Sequence, residues 1–259
     1  MPKAMKRPVT GLIALLLAAA GCYFQAPEAN IELPAISSTD VILSHKGYVT
    51  CYNPETRLPV WVAYELTEDE TRGDANRDNS MFQMDPDFSK RNQAMREDYY
   101  GSGWTKGHMA CAGDFRWDSE AMDETFYLTN ICPQNEELNK GDWNFLERQV
   151  RRWAREYGRV WVVSGPVIGS GRYGTIGERR VVVPDAFFKA VMVQDYGKYR
   201  SIAFIMGNDD RRYYLYDCSM SVDELEARTG LDFFASLPDD VEEASESRCR
   251  PSDWGIKAR

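Results

Sequence analysis

In residues 143–157 the apolar side chains Trp143, Leu146, Val150, Trp153 and Tyr157 fall three and four apart, the spacing that gathers them on one side of an α-helix. Asp142, just ahead of them, can accept hydrogen bonds from the first free backbone N–H groups and so start that helix. A stripe this broad has to be covered, and the rest of the chain offers a sheet to cover it. Runs of β-branched and aromatic residues at 41–43, 48–50, 60–64, 126–131, 160–164, 181–183, 190–193 and 202–206 predict strands, the fourth stopped at Pro133. A second helix is predicted over 222–228, because Ser221 and Glu224 form a capping-box pattern and Gly230 follows. Strands and helices in this order predict an α+β domain, mixed, with a central antiparallel sheet and helices packed on it. At 259 residues, one large domain suffices.

The first residues read as a processing signal. Lys3, Lys6 and Arg7 precede an apolar run, 12–20, that is short for a bilayer span. The segment ends Ala18-Ala19-Ala20-Gly21-Cys22, similar to a bacterial lipobox with Cys22 as the acylated residue. Cleavage after Ala20, or retention as an anchor, are the alternatives. The resulting expectation is an exported bacterial cell-envelope lipoprotein: signal 1–21, tether 22–40, domain 41–236 and acidic tail 237–259. The chain carries −9, and loss of residues 1–21 would leave about −12. That total excludes binding driven by overall positive charge, yet Arg148, Arg151, Arg152 and Arg155 cluster on the predicted helix. Exposed charges are screened beyond roughly 8 Å, so the local field there is what counts.

Hydrolysis of a phosphodiester near neutral pH needs a base for water, positive charge for the transition state and help for the leaving oxygen. His108, one of two histidines, follows Gly101-Ser102-Gly103 and sits beside Gly107, where a flexible backbone can aim an imidazole into a cleft. His45 reads as structural. Asn139, expected in the loop ahead of the helix, offers an amide oxygen to a hard cation that keeps most of its water, which suits magnesium. Glu147 and Arg151 lie four apart and share a helix face. Taken singly, these residues read as a core histidine, a turn residue and a surface ion pair.

Together, Lys106-Gly107-His108, Thr129-Asn130-Ile131-Cys132-Pro133-Gln134 and the run from Leu138 to Glu147 resemble the signature of the DNA/RNA non-specific endonucleases, the endonuclease G family. Supporting similarity runs from about Gly47 to Phe234, including Trp61-Val62-Ala63-Tyr64. The resemblance implies a ββα-metal, or His-Me finger, core and a metal-dependent endonuclease with little sequence specificity. It implies His108 as general base, Asn139 as direct ligand of Mg2+ (or Mn2+), Glu147 holding metal-bound water, and Arg151 and Arg77 on phosphate. Lys106 and Asn130 are expected as substrate-side residues, with DNA and RNA gripped through backbone phosphates. The chain departs from the family pattern at Thr105-Lys106, where Asp-Arg is usual, so a carboxylate and a guanidinium fork are lost.

Excluding Cys22, five cysteines remain; Cys111 with Cys132 and Cys218 with Cys249 are candidate disulfides in an exported chain, against free buried thiols. Two other functions compete. One is a non-catalytic nucleic-acid-binding lipoprotein, favoured by Thr105-Lys106; the other is a phosphodiesterase on small nucleotides.

Overall fold

The computed structural model describes residues 30–258. The expected signal segment, Cys22 and the first part of the tether lie outside the described residues.

The strands are β1 (Val41–Ser44), β2 (Val49–Asn53), β3 (Leu58–Thr67), β4 (Thr105–His108), β5 (Ile131–Gln134), β6 (Arg159–Val167), β7 (Thr175–Ile176), β8 (Val181–Val182), β9 (Ala186–Asp195), β10 (Lys198–Gly207) and β11 (Ser219–Met220). The helices are α1 (Ser119–Glu124), α2 (Glu136–Leu138), α3 (Asn144–Tyr157), α4 (Leu215–Cys218), α5 (Val222–Thr229) and α6 (Asp239–Glu246). Seven strands make one antiparallel sheet in the order β1-β2-β3-β6-β9-β10-β11, while β4 and β5 pair separately.

Strand alternation splits the core into two layers. In β3, Val62, Tyr64 and Leu66 face α3, whereas Trp61 and Ala63 face the layer that holds α5. In β9, Phe187, Val191 and Val193 go to the first layer and Phe188, Ala190 and Met192 to the second. The predicted stripe of α3 supplies the lid of the first layer: Trp143, Leu146, Val150 and Trp153 are fully buried. Gly158, in the left-handed region at φ 81°, ends the helix. The β4–β5 pair, followed by α2 and α3, forms the ββα unit on this side of the sheet.

Three local expectations are corrected. The helix begins at Glu136, not at Trp143, because Asn135 accepts hydrogen bonds from the N–H groups of Glu137 and Leu138. It then runs through a π-helical turn, Asn139–Trp143, into α3. Asp142 therefore lies inside the helix, where its carboxylate accepts the Tyr213 N–H at 2.7 Å and pairs with Arg212 at 3.2 Å. The stretch expected as strand 126–131 is mostly a tight turn, with β5 starting at Ile131 and continuing through Pro133. Proline is tolerated in this short two-stranded ribbon, since no further strand pairs there.

Both ends of the described stretch also pack more fully than a tether and a tail would. Ile31 is buried in the second layer, and Trp254 is buried against Trp153, whose indole N–H donates to the Trp254 carbonyl at 3.0 Å. The predicted second helix is present as α5, capped reciprocally by Ser221 and Glu224 and ended by Gly230 at φ 70°.

Leu146→Ala should lower stability by about 2–5 kcal/mol, the range for emptying a leucine site in a packed core. Urea denaturation checks this, and a loss below about 1 kcal/mol would mean that the stripe does not seat the helix.

Candidate active site

His108 ends β4 and lies 9% exposed, its ring packed edge-on against Phe126 at 4.9 Å and tilted on Phe82 at 5.3 Å. Its Nε2 is buried without a hydrogen-bond partner. Burial, then the positive charge of Arg77, pushes the imidazole down to about 3, so it stands neutral in the free protein. Asn130 fixes the backbone just after it: the side-chain oxygen accepts from Ala110 N–H at 2.8 Å, and the amide donates to the carbonyls of Ala110 at 3.0 Å and Thr125 at 2.7 Å. Fully buried with these bonds made, Asn130 does not reach the cleft, so the expectation of a substrate contact is corrected to a supporting one.

Across the cleft stands the helix. Asn139 is not in a loop but on the π-turn, and its amide donates to Thr105 Oγ1 at 3.0 Å. Thr105 in turn donates to the Gln134 carbonyl at 2.8 Å. A carboxylate at 105 could accept from Asn139 but would face that carbonyl oxygen with no proton to donate, so threonine suits this local arrangement. Glu147 is buried and accepts from the Cys111 thiol at 3.1 Å. Burial raises its pKa, opposed by the charges of Lys189 and Arg151. Arg151 pairs with buried Asp114, which also accepts from Tyr64 Oη at 2.7 Å. Gly113 leaves the room this needs, since a Cβ there would lie 2.9 Å from the guanidinium.

His108, Asn139, Glu147, Arg77, Arg151 and Lys106 all line one open cleft of about 750 Å³. Lys106 also sits among aromatic faces, its Nζ 5.1 Å from the Tyr99 ring centre and 5.4 Å from that of Phe82. His45 is away from the cleft, its ring tilted against Tyr48 at 4.4 Å with Asp85 at 3.3 Å.

The donors in the cleft fit a hard divalent cation. With its amide nitrogen engaged on β4, Asn139 has its oxygen left for a metal, and the buried Glu147 carboxylate supplies the negative charge such an ion would balance. The orphaned Nε2 of His108 completes the set on the opposite wall.

Reading the sequence missed Asp114 and Lys189. Lys189 is wholly buried on β9, with Nζ bonded to Ser164 Oγ and 4.8 Å from the Trp143 ring centre. Burial lowers its pKa, opposed by Glu147. A lone cation in the run Phe187-Phe188-Lys189-Ala190-Val191 is the signal that marks it; Asp114 carries no such signal. The expected disulfides are also corrected: Cys111, Cys132, Cys218 and Cys249 are free thiols, and Cys111 is turned to Glu147.

A histidine at the end of a β-ribbon, lining one cleft with an asparagine and a glutamate from the helix that follows, is the arrangement of a ββα-metal fold. The model of the DNA/RNA non-specific endonuclease family matches residues 27–240, and the chain belongs to that family. It is 39% identical over 208 residues to the mitochondrial nuclease EXOG of Xenopus laevis, covering 75% of this chain and 58% of that protein. It is 34% identical over 221 residues to mitochondrial endonuclease G of Bos taurus, covering 81% and 73%. A chain of the solved EndoG/EndoGI complex superposes with a TM-score of 0.74 at 29% identity, covering 81% of this chain and 90% of that one. Relatives from frog, cattle, human and yeast are named as mitochondrial nucleases. That finding overturns the expected localisation as an exported bacterial envelope lipoprotein; Cys22 itself lies outside the described residues.

His108 makes stability pH-dependent with a defined sign. The folded imidazole stays neutral down to about pH 3, whereas in the unfolded chain it takes up a proton near its ordinary value of about 6.5. The unfolded state therefore binds more protons in that window, and stability falls as pH drops through it. His108→Gln should lose less stability between pH 7 and pH 4 than the wild type, as read from urea midpoints (~7 and ~4 bracket the window). Equal losses would show that His108 does not titrate in this way.

Proposed function

We propose that this chain is a metal-dependent endonuclease that hydrolyses phosphodiester bonds of DNA and RNA with little sequence specificity. The observation that carries the reading is the facing of His108 by Asn139 and Glu147 across one arginine-lined cleft. His108 acts as general base, taking a proton from the attacking water at Nε2. A phosphate entering the cleft places negative charge beside Arg77 and His108, which raises the imidazole from its depressed value towards the range where a base works best. Arg77 and Arg151 offset the charge that grows on the phosphate oxygens. Asn139 would hold Mg2+ and Glu147 its bound water, and the ion would supply further positive charge at the reacting phosphate and leaving oxygen. Thr105 keeps the Asn139 amide turned so that its oxygen serves the ion.

A long substrate fits better than a small nucleotide. The cleft shares Lys140 with a second hollow of about 540 Å³ beside α3, lined by Arg148, Arg152 and Arg212 with the half-exposed rings of Phe145, Tyr214 and Tyr216. Positive charge interleaved with aromatic faces is how proteins hold a polynucleotide strand without reading its sequence. It also explains how a chain of net charge −9 can bind a polyanion.

A plasmid-nicking assay with magnesium, repeated with chelator, tests the reading. His108→Ala should lower the rate by at least about 10²-fold. Asn139→Ala, and to a lesser degree Thr105→Ala, should move half-activation to higher magnesium, and an unchanged titration in both would place the metal elsewhere. Removing two phosphate-facing charges with Arg148→Ala and Arg152→Ala should reduce the slope of log affinity against log salt by about 1.4 for a single strand. An unaltered slope would take the strand off this path.

A further inference from the structure

On the face of the sheet opposite the cleft, five carboxylates converge between α5 and α6. Asp223 and Glu226 lie three apart on α5, Glu242 and Glu246 four apart on α6, and Asp232 follows α5. Ligand oxygens of Asp223, Glu226 and Glu246 all fall within 4.8 Å of one another. Among the described residues, none of the five takes part in an ion pair. Glu246 is 2% exposed, and its Oε1 is buried without a hydrogen-bond partner. A desolvated carboxylate aimed at other carboxylates is unfavourable as an anion: burial and these neighbours push Glu246 up to about 9, and a cation among them would relieve the same charge without a proton.

We propose that Asp223, Glu226 and Glu246 form a binding site for a calcium ion that joins α6 to α5. The donors are all oxygens, with no histidine or cysteine, which selects a hard cation. Calcium tolerates irregular shells of 6–8 oxygens completed by water, as three carboxylates from two helices would leave it; magnesium demands a near-ideal octahedron. Glu226 already accepts the Phe233 N–H through Oε1 at 2.8 Å, so its other oxygen is the one offered. Asp223 is exposed and opens the way in from solvent. The ion would hold down the C-terminal helix, which otherwise touches β10 through contacts such as Ser201 Oγ donating to the Ser245 carbonyl at 2.9 Å. This site is separate from the catalytic cleft and does not depend on the nuclease reading.

The test uses the chelator-treated full chain carrying Asn139→Ala, which weakens the cleft's own metal site. Calcium titration by calorimetry should show one ion bound, and thermal unfolding should move to higher temperature as calcium is added. Adding Glu246→Gln, which keeps the shape and removes one ligand charge, should weaken calcium binding at least about tenfold and suppress the shift. In calcium-free buffer that variant should unfold at the same or a higher temperature, because it relieves repulsion; a packing role alone predicts the reverse. Asp223→Asn, at an exposed position, gives the same comparison if Glu246→Gln does not fold. The proposal is overturned if calcium leaves the unfolding temperature of the parent unchanged, or raises it equally in the carboxamide variants.

Discussion

The seating of α3 against the seven-stranded sheet is the contact on which the rest of the molecule depends. One side of that helix buries Trp143, Leu146, Val150 and Trp153, and this fixes both its height and its rotation. Its other side then has no freedom: Glu147 and Arg151 must face β4, the β5 ribbon and the loop that carries Asp114. Geometry good enough for chemistry thus comes from apolar packing, and the polar residues inherit their positions from it.

Electrostatics in the cleft follow from the same burial. His108 is pushed towards neutrality and Glu147 is pulled the same way, each by loss of water, while Arg77 and Arg151 supply positive charge around them. The free site is therefore poised for an anion and a cation together. Either partner alone leaves part of the field unbalanced, so metal and phosphate should favour each other's binding.

Much of this was legible in the sequence because it rests on local patterns. The α3 stripe, the capping box of α5 and the strand runs each follow from periodicity or capping chemistry within a few residues. Family resemblance named residues that the structure brings to one cleft. What the sequence hid was tertiary. The 126–131 run looks like a strand but turns, since Asn130 is spent on the backbone around Ala110. Asp114 and Lys189 join the site from distant segments, and the packing of Ile31 and Trp254 depends on long-range burial no local pattern reveals. The cysteines were read through an assumed compartment, and their surroundings, such as Glu147 beside Cys111, were invisible.

The π-turn at Asn139–Trp143 gives the site its phase. Eight residues separate Asn139 from Glu147, and in an unbroken α-helix, at about 100° per residue, their side chains would point about 80° apart. Absorbing one extra residue in the wider turn brings that angle to about 20°. The helix thus carries a slipped tooth, and the slip aligns the Asn139 side chain with that of Glu147. Residues on the solvent side of this helix can be exchanged freely, but straightening the turn into a regular helix while keeping all its residues would swing the two about 80° apart. The defect in the helix is what the site is registered to.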